Sequence, residues 1–274
     1  GLDESVVTQY GAFVGGLFRD RTITMGSEYT CDAPCLGISY GTRGEVRKEL
    51  MEKYPATLSV ALGGAAIYVV LGVTLGVLAA RRRGTATDRL LVGGSLVVSS
   101  IPYYLFALLA WILLTLQWDL FPATGYTPLT ESPSAWAAGL LLPWLVLGVT
   151  GSTQYARFTR GSMVDTLGED YIRTATAKGV RSSRVLFRHG LRAAIVPIVT
   201  IFGLDFATLL AGTVFTEQIF DIDGIGSWAL DAVKAPQDFP VILATVLVSA
   251  VLIVVANLVV DVVYGFLDPR VRVS

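Results

Sequence analysis

The sequence predicts an all-α, polytopic membrane protein, and three observations carry that prediction. Of its 274 residues 53% are hydrophobic and 16% charged, with a mean hydropathy of +0.61, far from the usual mixture for a soluble domain. Uncharged runs recur along the chain, the clearest being the 25 positions from Ala56 to Ala80, more than the ~20 residues a helix needs to cross a hydrocarbon core. The loops between the runs alternate in charge. That segregation is hidden in a net charge of −1 and gives no argument for a nucleic-acid partner. A single histidine, His189, and no Cys/His cluster argue against a bound transition metal or iron–sulfur centre.

Taken in order, the elements begin with Val6–Phe18 (VVTQYGAFVGGLF), whose apolar spacing suits an amphipathic helix on a membrane surface. From Arg19 to Gly44 the Gly, Thr, Ser and Cys content predicts irregular loop. Cys31 and Cys35 flank the short stretch DAP there: they close a local disulfide if the loop is outside the cytoplasm, or stand as two thiols without catalytic duty. Glu45–Tyr54 reads as a charged helical lead-in, with Pro55 starting the first span. Further spans are predicted over Leu90–Leu116, kinked at Pro102, then Trp136–Ala156, Ala193–Thr216 and Pro240–Leu267, the last with Asp261 near its inner end beside Arg270. Five spans emerge.

Loop charge fixes one orientation, because short cytoplasmic loops carry excess Lys and Arg. Arg81, Arg82, Arg83 and Arg89 against Asp88 place the first loop inside, and Asp119 with Glu131 place the second outside. Eight basic and three acidic residues from Arg157 to Arg192 lie inside; five acids against Lys234 put 217–239 outside; Arg270 and Arg272 bring the tail inside. Residues 1–55 then form an extracytoplasmic segment, 56–267 the membrane domain with a cytoplasmic loop at 157–192, and 268–274 a cytoplasmic tail. Such an outer segment needs something to direct its translocation, so a sixth, earlier apolar helix is expected ahead of residue 1.

The basic loop carries the chemistry. Between Met163 and Phe187 the pattern is helix, turn, helix: Asp165, Glu169 and Asp170 suit the start of the first helix, Lys178 its end, and Gly179 its stop. Ser182 or Ser183 is placed to cap the second, where Arg184, Arg188 and Arg192 recur four apart. Small Ala175 and Ala177 near the turn permit close approach by another surface. Two short amphipathic helices under the bilayer follow, shaped to fill a groove on a cytoplasmic partner.

YIRTATAKGVRSSRVLFRHGLRAAIVPIVT, from Tyr171 to Thr200, resembles the cytoplasmic loop of permease subunits of binding-protein-dependent ABC importers, most closely the dipeptide/oligopeptide branch. The general pattern of Glu-Ala-Ala, glycine and a later Ile, Leu, Pro set falls on Arg173, Thr174 and Ala175, Gly179, and His189, Leu191 and Arg192, of which Ala175, Gly179 and Leu191 keep it. EKYPATLSVAL, DRLLVGGSLVVSSIPYYLFALLAWILL, FPATGY and NLVVDVVYGFLDPRVR extend the resemblance over nearly the whole chain. It implies a type I ABC importer transmembrane domain in a bacterial or archaeal plasma membrane, usually of six spans, pairing with a second similar permease. It implies two cytoplasmic ATPase subunits, an external solute-binding protein and a peptide cargo. Tyr171, Arg173, Thr174, Ala175, Ala177, Lys178, Gly179 and Arg184 would then couple to an ATPase. The chain has no G-x-x-x-x-G-K-S/T loop, so ATP and Mg would be bound by the partner ATPases.

Inside the membrane, Asp205 is costly unless it faces a cavity or a partner: it lines the translocation path, or it hydrogen-bonds within the subunit or between permeases. Ser95, Ser99 and Ser100 with Gly93 and Gly94 give a small-residue surface for packing or a pathway wall, followed by Pro102 and Tyr103, with Tyr103 or Tyr104 as a gate. The acidic segment 217–240, with a short helix over Ser227–Ala235, either lines the external mouth and receives the binding protein or simply closes the fold. Other classes fit less well. An ion-coupled secondary carrier would use Asp205 but not the docking-like loop, and His189, Ser182 and Ser183 form no catalytic constellation. Nickel chelates or other small solutes are alternative cargoes.

Overall fold

Two 36-residue helices, α2 (Val46–Arg81) and α5 (Pro133–Gly168), form the spine of the fold. The structure is a computed structural model that describes residues 5–211 and 213–267, and within them all side chains but those at 196, 211, 260, 261 and 263–267. Before the spine come α1 (Val6–Gly16), β1 (Arg21–Met25) and β2 (Ser27–Cys31). Between its two helices lie α3 (Ala86–Ser100), α4 (Tyr103–Trp111) and a π-helical turn (Ile112–Gln117). After it come α6 (Asp170–Ala177), α7 (Ser182–Arg184), a second π-helical stretch (Val185–Leu191), α8 (Arg192–Ala211), α9 (Val214–Ile219), α10 (Ile225–Val233) and α11 (Phe239–Leu267). The side chain of Asp261 and the tail 268–274, with Arg270 and Arg272, lie outside the described residues.

Glycines let the spine close. A Cβ on Gly64, Gly72 or Gly76 would lie 2.9, 2.3 or 2.5 Å from Leu147, Tyr155 or Thr159, and Gly148 and Gly151 meet Ile67 and Tyr68 from the other side. These pairs keep a nearly constant sequence offset, so α2 and α5 run side by side in the same direction. Apolar clusters follow the seam. Ala56, Val60, Leu140, Val146 and Phe220 fill one end, Ala65, Tyr68, Tyr155 and Ile198 the middle, and Val77, Ala80, Met163, Leu186 and Ala194 the other. We call these the hairpin end and the α6 end.

Among the described residues, α2, α5 and α11 (over Phe239–Val259) are long and apolar enough to cross a membrane, and up to five spans result if each bent helix pair counts as one. The second predicted span is not a gently kinked helix. Ala86–Ser100 and Tyr103–Gln117 meet at 91°, because Pro102 forces Ile101 into extended backbone (φ −86°, ψ 125°). The fourth is bent by 49° between Ile195 and Pro197, and it stops at Ala211, so Thr213–Thr216 belong to a separate short helix.

Other expectations are corrected too. The fold is not all-α: Arg21–Met25 and Ser27–Cys31 pair antiparallel, Arg21 opposite Cys31, where irregular loop was expected. Thr, Ile and Tyr favour strands, and Gly26 at φ +83° supplies the turn. Pro55 lies inside α2 rather than at its start, the helix losing one N–H donor there without breaking. The helix of the third span continues through 157–168, so the chain breaks from it only at Glu169, and Asp165 sits in the last turn of α5 instead of opening α6. The short helix expected at Ser227–Ala235 occupies Ile225–Val233. Cys31 and Cys35 are joined in a disulfide with Cα atoms 5.4 Å apart, packed with Ile38, Ile23 and Tyr29.

Candidate functional site

At the α6 end the chain makes a tight reversal. α6 opens after Glu169, in extended backbone, with Asp170 in its first turn, where negative charge meets the free amide ends. It closes in a two-bond motif: Gly179 N–H donates to Thr176 O (3.0 Å) and Val180 N–H to Ala175 O (3.2 Å). Gly179 takes the left-handed conformation this requires (φ +77°). The next helix is capped by Arg181 in extended backbone and not by a hydroxyl of Ser182 or Ser183, which fall inside it. Ile172, Val185 and Leu186 are buried, and Leu186 packs on Val77 and Ala80 of α2, Met163 of α5 and Ala194 of α8. Tyr171, Arg173, Thr174, Ala177, Lys178, Gly179 and Arg184 are exposed, Ala175 half-buried. One face is thus bolted to three long helices while the other is open.

The residues expected along a membrane path each have their own partners or setting. Tyr155 Oη donates to Asp205 Oδ2 (2.8 Å), and the Tyr155 ring lies 4.9 Å from that of Tyr68, so Asp205 sits where α2, α5 and α8 meet. Ser99 is exposed and accepts from Arg157 Nη1 (3.2 Å). Arg157 itself lines a groove of about 580 Å³ along α5 with Gln154, Phe158, Gly161, Ser162 and Asp165. Pro102 is exposed at the right-angle break, and Tyr103 Oη lies 2.6 Å from Thr216 Oγ1. Arg160 and Asp88 form two short hydrogen bonds (2.6 and 2.7 Å) that hold the start of α3 on α5.

A third assembly, at the hairpin end, has no counterpart in the sequence reading. Glu217 is fully buried. Its Oε1 accepts from the hydroxyls of Thr57 (2.8 Å) and Thr213 (3.0 Å), and its Oε2 from the Ser227 N–H (2.8 Å). Thr57 Oγ1 in turn accepts from the Ile225 N–H (2.8 Å). Nearby, buried Asp238 accepts from Ser39 Oγ (2.6 Å) and the Gly41 N–H (3.1 Å), fastening the N-terminal segment to the start of α11. Lys53 pairs with Asp223. The available signal for Glu217 was a carboxylate in the otherwise uncharged run TVFTEQIF, followed by Gly224 and Gly226.

Comparison with known proteins agrees with this geometry. Residues 72–273 match the family model of the binding-protein-dependent transport system inner membrane component, and residues 1–61 its N-terminal companion model. The chain is 35% identical over 295 residues to the dipeptide transport system permease protein DppB of Escherichia coli K12, covering 99% of this chain and 83% of that one. It is 36% identical over 292 residues to the di/tripeptide transport system permease protein DppB of Pseudomonas aeruginosa, covering 99% and 82%. Among solved structures, an inward-facing MetNI methionine ABC transporter superposes with a TM-score of 0.66 at 15% identity, over 81% of this chain and 97% of that one. An amino acid ABC transporter solved with histidines gives 0.59, also at 15%, over 82% and 94%; both show a shared fold. With matches that span nearly its full length and a membrane-crossing fold in common, this chain is a multi-pass transport permease subunit, not a catalytic enzyme, and belongs to the binding-protein-dependent transport system inner membrane component family.

Proposed function

We propose that this chain is a transmembrane subunit of an ATP-driven peptide importer, forming half of a translocation pathway with a second, similar permease. Two cytoplasmic ATPases and an external solute-binding protein complete the complex, and ATP with its Mg is held by the ATPases. The α6 end carries this reading: a short helix and glycine turn expose Tyr171, Arg173 and Lys178 while Leu186 is seated on α2, α5 and α8. A push on such a surface reaches three long helices at once. The peptide cargo is supported by the relatives, whose names specify dipeptides and di- or tripeptides.

On this reading the α6 end faces the cytoplasm, as its eight basic residues against three acids support, and the hairpin end faces outward. The parallel run of α2 and α5 supports counting the bent α3–α4 pair as a crossing, since the chain from 82 to 132 has to return across the bilayer between them; with the bent pair ending in α8, and α11, that makes five within the described residues. Ser99 and Pro102, being exposed, suit a pathway wall. Asp205 and Tyr103, each hydrogen-bonded inside the subunit, suit a role in holding helices.

Reconstitution tests the reading. In proteoliposomes containing both permeases and both ATPases, dipeptide uptake should require the binding protein and should vanish when ATP hydrolysis is disabled in the ATPases. Uptake by this chain alone, driven by a proton gradient, would replace the importer with a secondary carrier.

A further inference from the structure

We propose that Glu217 is a positioning residue for transport, a clasp that fixes the outer segment 213–227 to α2 so that the outer mouth follows movements imposed at the α6 end. The inference rests on the reading above, in which the ATPases act at the α6 end.

The clasp is built around one buried carboxyl group. A buried carboxylate without compensation is among the costliest groups to place in a protein, and here the hydroxyls of Thr57 and Thr213 and the N–H of Ser227 all donate to it. The Ser227 amide belongs to the first turn of α10, whose free N–H groups favour negative charge. Two glycines open the space: a Cβ at Gly224 would lie 2.5 Å from Glu217 Cδ and 2.6 Å from Thr57 Oγ1, and one at Gly226 would lie 2.9 Å from Val214. Two hydroxyls and one backbone amide thus converge on the two carboxyl oxygens.

The same residue stands where several elements meet. Thr57 from α2 reaches both Glu217 and the Ile225 amide, Thr213 and Glu217 belong to the α9 turn, and Thr216 beside them meets Tyr103 at the start of α4. Twenty residues further along α2, about 30 Å of uninterrupted helix, Val77 packs against Leu186 at the α6 end. A buried hydrogen-bonded network whose members are all satisfied rigidifies the elements that supply them and holds them in one arrangement. At this place, register between outer mouth and long helix is what transport needs.

The test uses the complete transporter in proteoliposomes, with Glu217→Gln and Glu217→Ala in this chain. Glutamine fills the volume but its amide nitrogen turns a donor toward a donor. In both variants ATP hydrolysis without binding protein should stay near that of the unsubstituted complex, while stimulation by the peptide-loaded binding protein and peptide uptake should fall by roughly 10-fold or more. A covalent clasp should restore both. In the Glu217→Ala background the carboxyl that would collide with a Cβ at 224 is gone, so Thr57→Cys with Gly224→Cys can bond; oxidation should recover stimulation and reductant remove it. The unsubstituted complex, with its Cys31–Cys35 bridge, is carried through the same reduction as control. Stimulation and uptake unchanged in Glu217→Gln would overturn the clasp, as would an oxidised cysteine pair without recovery. An unsubstituted complex that the binding protein does not stimulate would instead overturn the importer reading, and this inference with it.

Discussion

At the α6 end, Leu186, Val185 and Ile172 hold a small helical reversal by apolar contact, with a polar face left open; at the hairpin end, Glu217 and Asp238 hold their segments by buried hydrogen bonds to hydroxyls and backbone amides. The difference is physical. Apolar contact is non-directional and tolerates small shifts of one surface over another, whereas a buried hydrogen-bonded carboxylate keeps one geometry or loses most of its compensation. An apolar seat and a hydrogen-bonded clasp stand at opposite ends of α2.

Four substitutions sharpen or break that comparison, from the largest expected effect to the smallest. Leu186→Ala removes the side chain that seats the reversal on α2, α5 and α8 and should cost about 2–5 kcal/mol, seen as a lower unfolding temperature of the purified complex together with weaker ATPase retention. Unchanged retention would show that the seat is not at Leu186. Gly224→Ala forces a methyl group onto Glu217 and Thr57 and should cost about 1–3 kcal/mol; the same melting measurement would contradict a tight clasp if the midpoint did not move. By contrast Gly179→Ala meets nothing within 4 Å, so only its left-handed backbone (φ +77°) is strained, at about 1 kcal/mol. A melting loss as large as that of Gly224→Ala would mean that the turn is packed, not open. Arg173→Ala should leave stability within ~0.5 kcal/mol, since its pair with Asp170 at 3.4 Å is exposed, yet it should reduce ATPase copurification; equal recovery of the ATPase would remove Arg173 from the docking face.

Much of the fold was legible in the sequence because lipid leaves a plain mark. The uncharged runs located the long helices, and the alternating loop charges separated the two ends. Helix ends were less visible: α2 starts at Val46 and α5 continues to Gly168, because helices persist past the hydrocarbon layer into charged sequence that hydropathy treats as loop. Pro102 announced a break, but not its 91° angle, nor that Tyr103 beyond it would meet Thr216, 113 positions away in sequence. The hairpin was hidden by the Gly, Ser and Cys content around RTITM and SEYTC. At the α6 end Gly179 was readable, since a helix stop is a local property. Glu217 was not: it counted as one more acid in an outer loop, and its partner Thr57 lies 160 positions away in sequence.

The central claim is that the reversal around Gly179 is the surface gripped by an ATPase. A cysteine at Ala177, exposed beside the turn, tests it most directly when crosslinked in the assembled, transporting complex. The account predicts a crosslink to the ATPase subunit that forms in high yield and stops uptake, reversibly with a cleavable reagent. Crosslinks that reach only lipid or this chain itself, while peptide uptake continues, would contradict it.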